Sequence, residues 1–125
     1  MITESFPILT TADLQRALHF YRDLLGFAVT YEYRYEGTLL YVSLTAASST
    51  IGIGEDAETS GRDRDNGTFS LCMYVNDCDA AVEKLRAAGV AVLSEPVTQP
   101  WGERMAEVSD PDGIRVALMS KVDGG

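Results

Sequence analysis

The stretch ADLQRALHFYRDLLGF, residues 12–27, decides the fold, because the chain writes its pattern twice. Its apolar residues Leu14, Ala17, Leu18, Tyr21, Leu24 and Leu25 recur at three- and four-residue steps, the single stripe of an amphipathic helix. Asp13 is placed to cap the start and Gly26 to end it. Residues 76–90, NDCDAAVEKLRAAGV, repeat the design with an inner stripe of Cys78, Ala81, Val82 and Leu85, an Asp near the start and a Gly at the end.

Outward from the first helix, SFPILTT (5–11) reads as a strand before it. FAVTYEYRY (27–35), TLLYVSLTA (38–46) and STIGIGE (49–55) read as three strands after it, with a turn at Glu36-Gly37. The second helix stands in the same order: TFSLCMYV (68–75) before it, then VAVLSEP (90–96), ERMAEV (103–108) and GIRVALMSK (113–121). The chain is thus β-α-β-β-β written twice, an α+β protein of two tandem modules. We expect residues 1–125 to be a single domain, with module 1 at 5–55, a connector at 56–67 and module 2 at 68–121. The connector is polar and includes Arg62 and Arg64.

Composition bounds the function. The 125 residues are 46% hydrophobic and 23% charged, the balance of an ordinary soluble domain. No apolar run approaches the roughly 20 residues needed to span a bilayer. No basic segment followed by an apolar one opens the chain, so a cytoplasmic location is expected. The net charge of −9 disfavours nucleic acid and anionic membranes as partners. It favours a cationic small molecule, or else serves solubility alone. Cys72 and Cys78 lack the spacing of a zinc site and read as two small buried hydrophobes in a reducing compartment.

If each helix covers one face of its sheet, alternate strand residues belong to the other face. In module 2 these are Ser70, Cys72 and Tyr74, then Met105 and Glu107, then Arg115, Ala117 and Met119; in module 1 they begin with Phe6, Ile8 and Thr10. The mixture of small, aromatic and polar residues is that of a ligand site. Glu107 and Arg115 flank the DPDG turn at 110–113 and are centred on Pro111, so a hairpin about that point sets them opposite each other. They form either a cross-strand salt bridge or a ligand-orienting pair.

These residues carry a family resemblance. LTTADLQRALHFYRDLLGF (9–27), YVNDCDAAVEKLRAAGV (74–90) and QPWGERMAEVSDPDG (99–113), with the repeat, resemble the vicinal oxygen chelate superfamily of glyoxalase I, extradiol dioxygenases, fosfomycin-resistance enzymes and bleomycin-resistance proteins. The resemblance implies a cup-shaped, incompletely closed mixed β-sheet barrel with helices outside. In the superfamily's enzymes, His, Gln or Glu side chains on inner strands hold a divalent metal that acts as a Lewis acid. Carried onto this chain, those ligand positions fall on Phe6, Ser70 and Ala117. Two have no lone pair, and a neutral hydroxyl is a weak ligand. The sole histidine, His19, sits on the first helix, away from the inner strands. Glu55 and Glu107 remain as carboxylates within reach of the cavity, a poor transition-metal set without imidazole. No metal and no cofactor are therefore expected, and without a histidine beside a nucleophile no Ser–His or Cys–His scheme forms.

What remains is aromatic. Tyr31, Tyr33 and Tyr35 alternate along one strand, and Phe6, Phe69, Tyr74 and Trp101 join them at the rim, with Met105, Glu107 and Arg115 on neighbouring strands. QPWG at 99–102 is similar to the bleomycin-resistance branch, whose members are metal-free homodimers. That likeness implies that Trp101 stacks on flat groups of a drug in a groove between subunits. Otherwise Trp101 is an interface or core anchor, and the tyrosines pair against a twin subunit. The leading expectation is a homodimeric antibiotic-resistance or metabolite-binding protein for an aromatic, cationic ligand, rather than an enzyme. The alternatives are a lyase, isomerase or dioxygenase with a non-standard metal site or none, and a dimeric interaction module.

Overall fold

The computed structural model describes residues 1–57 and 69–122, which form two compact units on either side of residues 58–68. The polar connector, with Arg62 and Arg64, lies mostly outside the described residues.

In the first unit, strand β1 (Ile8–Thr11) leads into helix α1 (Leu14–Leu18), which continues as a wider π-helical turn over His19–Leu24. Strands β2 (Ala28–Tyr35), β3 (Thr38–Ala46) and β4 (Ser49–Glu55) follow. The four strands form one mixed sheet in the order β1-β4-β3-β2, with β1 parallel to β4 and the rest antiparallel. Asp13 caps α1 by accepting the Arg16 N–H, and Gly26 follows the helix at φ 95°. The π turn closes through the Leu25 N–H to the Phe20 carbonyl. It turns Phe20 inward beside Tyr21, with ring centroids 4.8 Å apart, although a regular 3.6-residue period leaves Phe20 off the stripe. Leu9, Val42, Leu44, Ile51 and Ile53 from the sheet close this core against Leu14, Ala17 and Leu18.

The second unit repeats the plan. Strand β5 (Leu71–Tyr74), helix α2 (Cys78–Ala87), and strands β6 (Val92–Thr98), β7 (Glu103–Ser109) and β8 (Arg115–Lys121) give a sheet ordered β5-β8-β7-β6. Asp77 caps α2 through the Ala80 N–H, and Gly89 follows it at φ 87°. Cys78, Val82 and Leu85 pack with Ala106, Val108, Val116 and Leu118. The repeat extends to the helix starts. The Leu14 N–H reaches Glu55 at the end of β4, and the Cys78 N–H reaches Ser120 near the end of β8, at 2.8 and 2.9 Å.

Each unit is therefore the expected βαβββ module, and among the described residues no strand pairing closes a barrel. No helix of the described residues is long and apolar enough to cross a membrane. Two expectations are corrected. Cys78 is buried, but Cys72 is exposed, because it points to the face of β5 that the helix leaves open. The β7–β8 hairpin pairs Ser109, not Glu107, with Arg115. The Asp110 N–H bonds the Ile114 carbonyl, so the loop is Pro111-Asp112-Gly113 and the hairpin's centre falls on Asp112, one residue past the centre assumed.

Candidate functional site

The register assigns the faces turned away from the helices. In module 1, one row across the sheet is Ile8, Gly52, Ser43 and Tyr31; the next is Thr10, Gly54, Tyr41 and Tyr33. Tyr41 lays its ring over Gly52: a Cβ there would stand 2.1 Å from the phenol oxygen. The Tyr31 and Tyr41 ring centroids are 6.4 Å apart. Tyr31 and Tyr33 are thus exposed on this open face, with Tyr41 added to them, a residue the alternation argument passed over. Tyr35 pairs with Thr38 beside the turn, past a register shift in the β2–β3 ladder. Phe6 precedes β1 and is 42% exposed.

In module 2 the corresponding rows are Cys72, Ala117, Glu107 and Ser94, then Tyr74, Met119, Met105 and Val97. Glu107 and Arg115 are diagonal rather than directly opposed, yet Arg115 Nη1 reaches Glu107 Oε1 at 3.1 Å. Long side chains bridge that diagonal easily. Phe69 and Ser70 precede β5 and are exposed.

Trp101 sits at the tip of the β6–β7 hairpin. The Gln99 N–H bonds the Glu103 carbonyl, and the Gly102 N–H returns to the Gln99 carbonyl. The loop Pro100-Trp101-Gly102 is thereby the same three-residue device as Pro111-Asp112-Gly113. Proline presets the first turn residue, and the last must take a left-handed backbone, supplied by Gly102 at φ 90° and Gly113 at φ 88°. Trp101 is 61% exposed, which removes the core-anchor alternative within this chain. Its indole Nε1–H donates to Glu103 Oε1 at 2.8 Å. The Glu103 carboxylate lies beside the Tyr74 hydroxyl and pushes that phenol above its ordinary range. Sequence reasoning missed Glu103, although its two-residue spacing from Met105 places it on the open face.

The positions that the family uses for metal can be tested directly. The first-ligand position of each module carries Phe6 and Ser70, and the third carries Ala117, which is 0% exposed. The repeat supplies a fourth, since Gly52 pairs with Ile8 in module 1 as Ala117 pairs with Cys72 in module 2. None of these four side chains is a useful donor to a divalent ion. Glu55 is no substitute: it shares the helix-side face with Ile53 and accepts the Leu14 N–H. His19 is on the exposed side of its helix, 3.3 Å from Asp23. Among the described residues, no three His, Cys, Asp or Glu side chains are grouped to hold a metal ion. The residues do not fit the superfamily's metal.

Residues 5–118 match the Glyoxalase/Bleomycin resistance protein/Dioxygenase superfamily. The chain belongs to that superfamily. It is 30% identical over 118 residues, 90% of either chain, to a probable lactoylglutathione lyase of Synechocystis sp.. It is 34% identical over 125 residues to the anthracycline biosynthesis protein DauV of Streptomyces sp., covering 93% of this chain but 43% of that one. Among solved structures, a superfamily member from Sphaerobacter thermophilus superposes with a TM-score of 0.76 at 24% identity, over 96% of this chain and 98% of the other. That likeness shows the fold alone.

Proposed function

We propose that the protein is a cytoplasmic homodimer that binds and sequesters a planar aromatic, cationic small molecule, as bleomycin-resistance proteins do. One observation carries the reading: the open sheet faces present aromatic rings where metal ligands are missing. Tyr31 and Tyr33 with Tyr41, and Tyr74 with Trp101, offer ring faces to a guest. Phe6 and Tyr35 extend the apolar surface of the first unit, and Phe69 and Met105 that of the second, where Glu107 and Arg115 orient polar groups. Each stacked aromatic contributes about 0.5–1.5 kcal/mol beyond the area it buries. The net charge of −9 draws cations to the protein. The name of the anthracycline-biosynthesis relative agrees with an aromatic guest. Calorimetric titration with an acridinium or anthracycline dye tests this. The wild type is expected to bind in the micromolar range or tighter, and Trp101→Ala to lose about tenfold. Wild-type protein that leaves such dyes unbound contradicts the proposal.

A lyase reading draws on the names of relatives such as the Synechocystis protein. Glu107 would then act as base and Arg115 as the clamp for an anionic group, the two already 3.1 Å apart. It predicts that Glu107→Gln abolishes a turnover detectable in the wild type with a glutathione hemithioacetal.

A further inference from the structure

Glu103 opens β7 two residues after Trp101 and faces Lys121 across the β7–β8 ladder. It shares the open face with Met105 and Glu107. The other carboxylate of that face, Glu107, is matched by Arg115 at 3.1 Å. Glu103 instead meets two neutral donors: the indole N–H of Trp101 at 2.8 Å, and the Tyr74 hydroxyl. These groups come from β5, the β6–β7 loop and β7, so one side chain fixes rings from separate elements. Both rings stay largely exposed, Tyr74 at 66% and Trp101 at 61%. With their polar atoms turned to Glu103, what they offer a guest is their π faces.

Resting on the binding role proposed above, we infer that Glu103 is the specificity-determining residue of this face. It holds Trp101 and Tyr74 in place and receives an alkylammonium group of the ligand. A carboxylate has about four acceptor sites; the Trp101 indole takes one, and the Tyr74 hydroxyl lies beside it, which leaves at least two. An alkylammonium brings donors for the remainder, and its charge is attracted by indole and phenol faces alike. A neutral guest gains the stacking only, and an anionic one is repelled. Lys121, the cross-strand partner of Glu103, adds like charge against an arriving cation.

The test compares 2-(1-naphthyl)ethylamine with its neutral N-acetyl derivative, titrated calorimetrically into the full chain at low salt. Wild-type protein is expected to prefer the amine roughly tenfold. Glu103→Gln keeps an acceptor for the rings and loses the charge, so amine affinity should fall to that of the amide while amide binding persists. Glu83→Gln removes the same charge from the exposed side of α2, beside Arg86 at 3.4 Å, and should leave the preference intact. Lys121→Gln should tighten amine binding. Amine binding unchanged in Glu103→Gln, or lost equally in Glu83→Gln, or not improved in Lys121→Gln, overturns the assignment and leaves the binding role standing. Wild-type protein that binds neither probe overturns the binding role itself.

Discussion

Tyr41 depends on what Gly52 lacks. The ring lies where a Cβ would be, at 2.1 Å from the phenol oxygen and 2.8 Å from the adjacent ring carbon, so any side chain at residue 52 must push it away. Gly52→Ala is expected to cost about 1–3 kcal/mol, read from the urea midpoint, and to weaken binding of planar ligands. At this scale the sequence was only partly legible. The exposed tyrosines and Trp101 could be picked out by alternation and loop position. Glu103 was passed over, although alternation from Met105 puts it on the open face, because its bond to Trp101 is made by the turn geometry rather than by any pattern of residue types. Glu55 looked like a cavity carboxylate until the β1–β4 register placed it on the helix side, against the Leu14 N–H. Cys72 looked buried because its neighbours are apolar, yet alternation turns it to the open face.

The elements were far more legible, since period and punctuation encode them locally. Each strand and both helices overlap the segments that alternation, caps and turn residues mark, although β1 and β5 begin three residues late and leave Phe6, Phe69 and Ser70 ahead of their strands. What escaped was finer: the π turn that buries Phe20, and the one-residue shift in the β7–β8 hairpin. Asp110 controls that shift. Its buried carboxylate accepts the N–H groups of Asp112 and Ile114, both at 2.8 Å, and so winds the loop. Asp110→Ala should destabilise the chain by about 2 kcal/mol in urea unfolding, because two charge-assisted bonds are lost. Helix α2 is tied to β7 by Arg104, which grips both Asp79 oxygens at 3.0 Å. This hydrogen bonding holds Asp79 below the ordinary carboxylate value of 3.8. A depressed value favours the ionised carboxylate in the folded chain. Its stabilisation is therefore complete above pH about 4 and fades as the pH falls through the lowered value. Asp79→Asn should flatten the acid limb of stability against pH, measured by circular dichroism, while leaving the neutral region little steeper or shallower.

For the molecule as a whole, charge and the doubled module set the behaviour. A surplus of 19 acidic over 10 basic residues should speed the encounter with cationic ligands, and salt should slow it. Stopped-flow association rates for a cationic dye are expected to fall several-fold between 20 and 300 mM salt, conditions spanning Debye lengths of roughly 20 to 6 Å, with dissociation changing little. The superfamily scaffold was written plainly in the repeat, whereas the guest was not, because ligand identity resides in a few side chains rather than in the period. The central claim is that residues without metal-donor side chains, Phe6 and Gly52 in one unit and Ser70 and Ala117 in the other, leave each open sheet face to stacking. Trp101, the sole tryptophan, reports on it directly. In excess EDTA, a planar aromatic cation should quench Trp101 emission saturably, one ligand per chain, with an affinity that added nickel or manganese leaves unchanged. Quenching that appears only after one equivalent of such a metal is supplied would contradict the account.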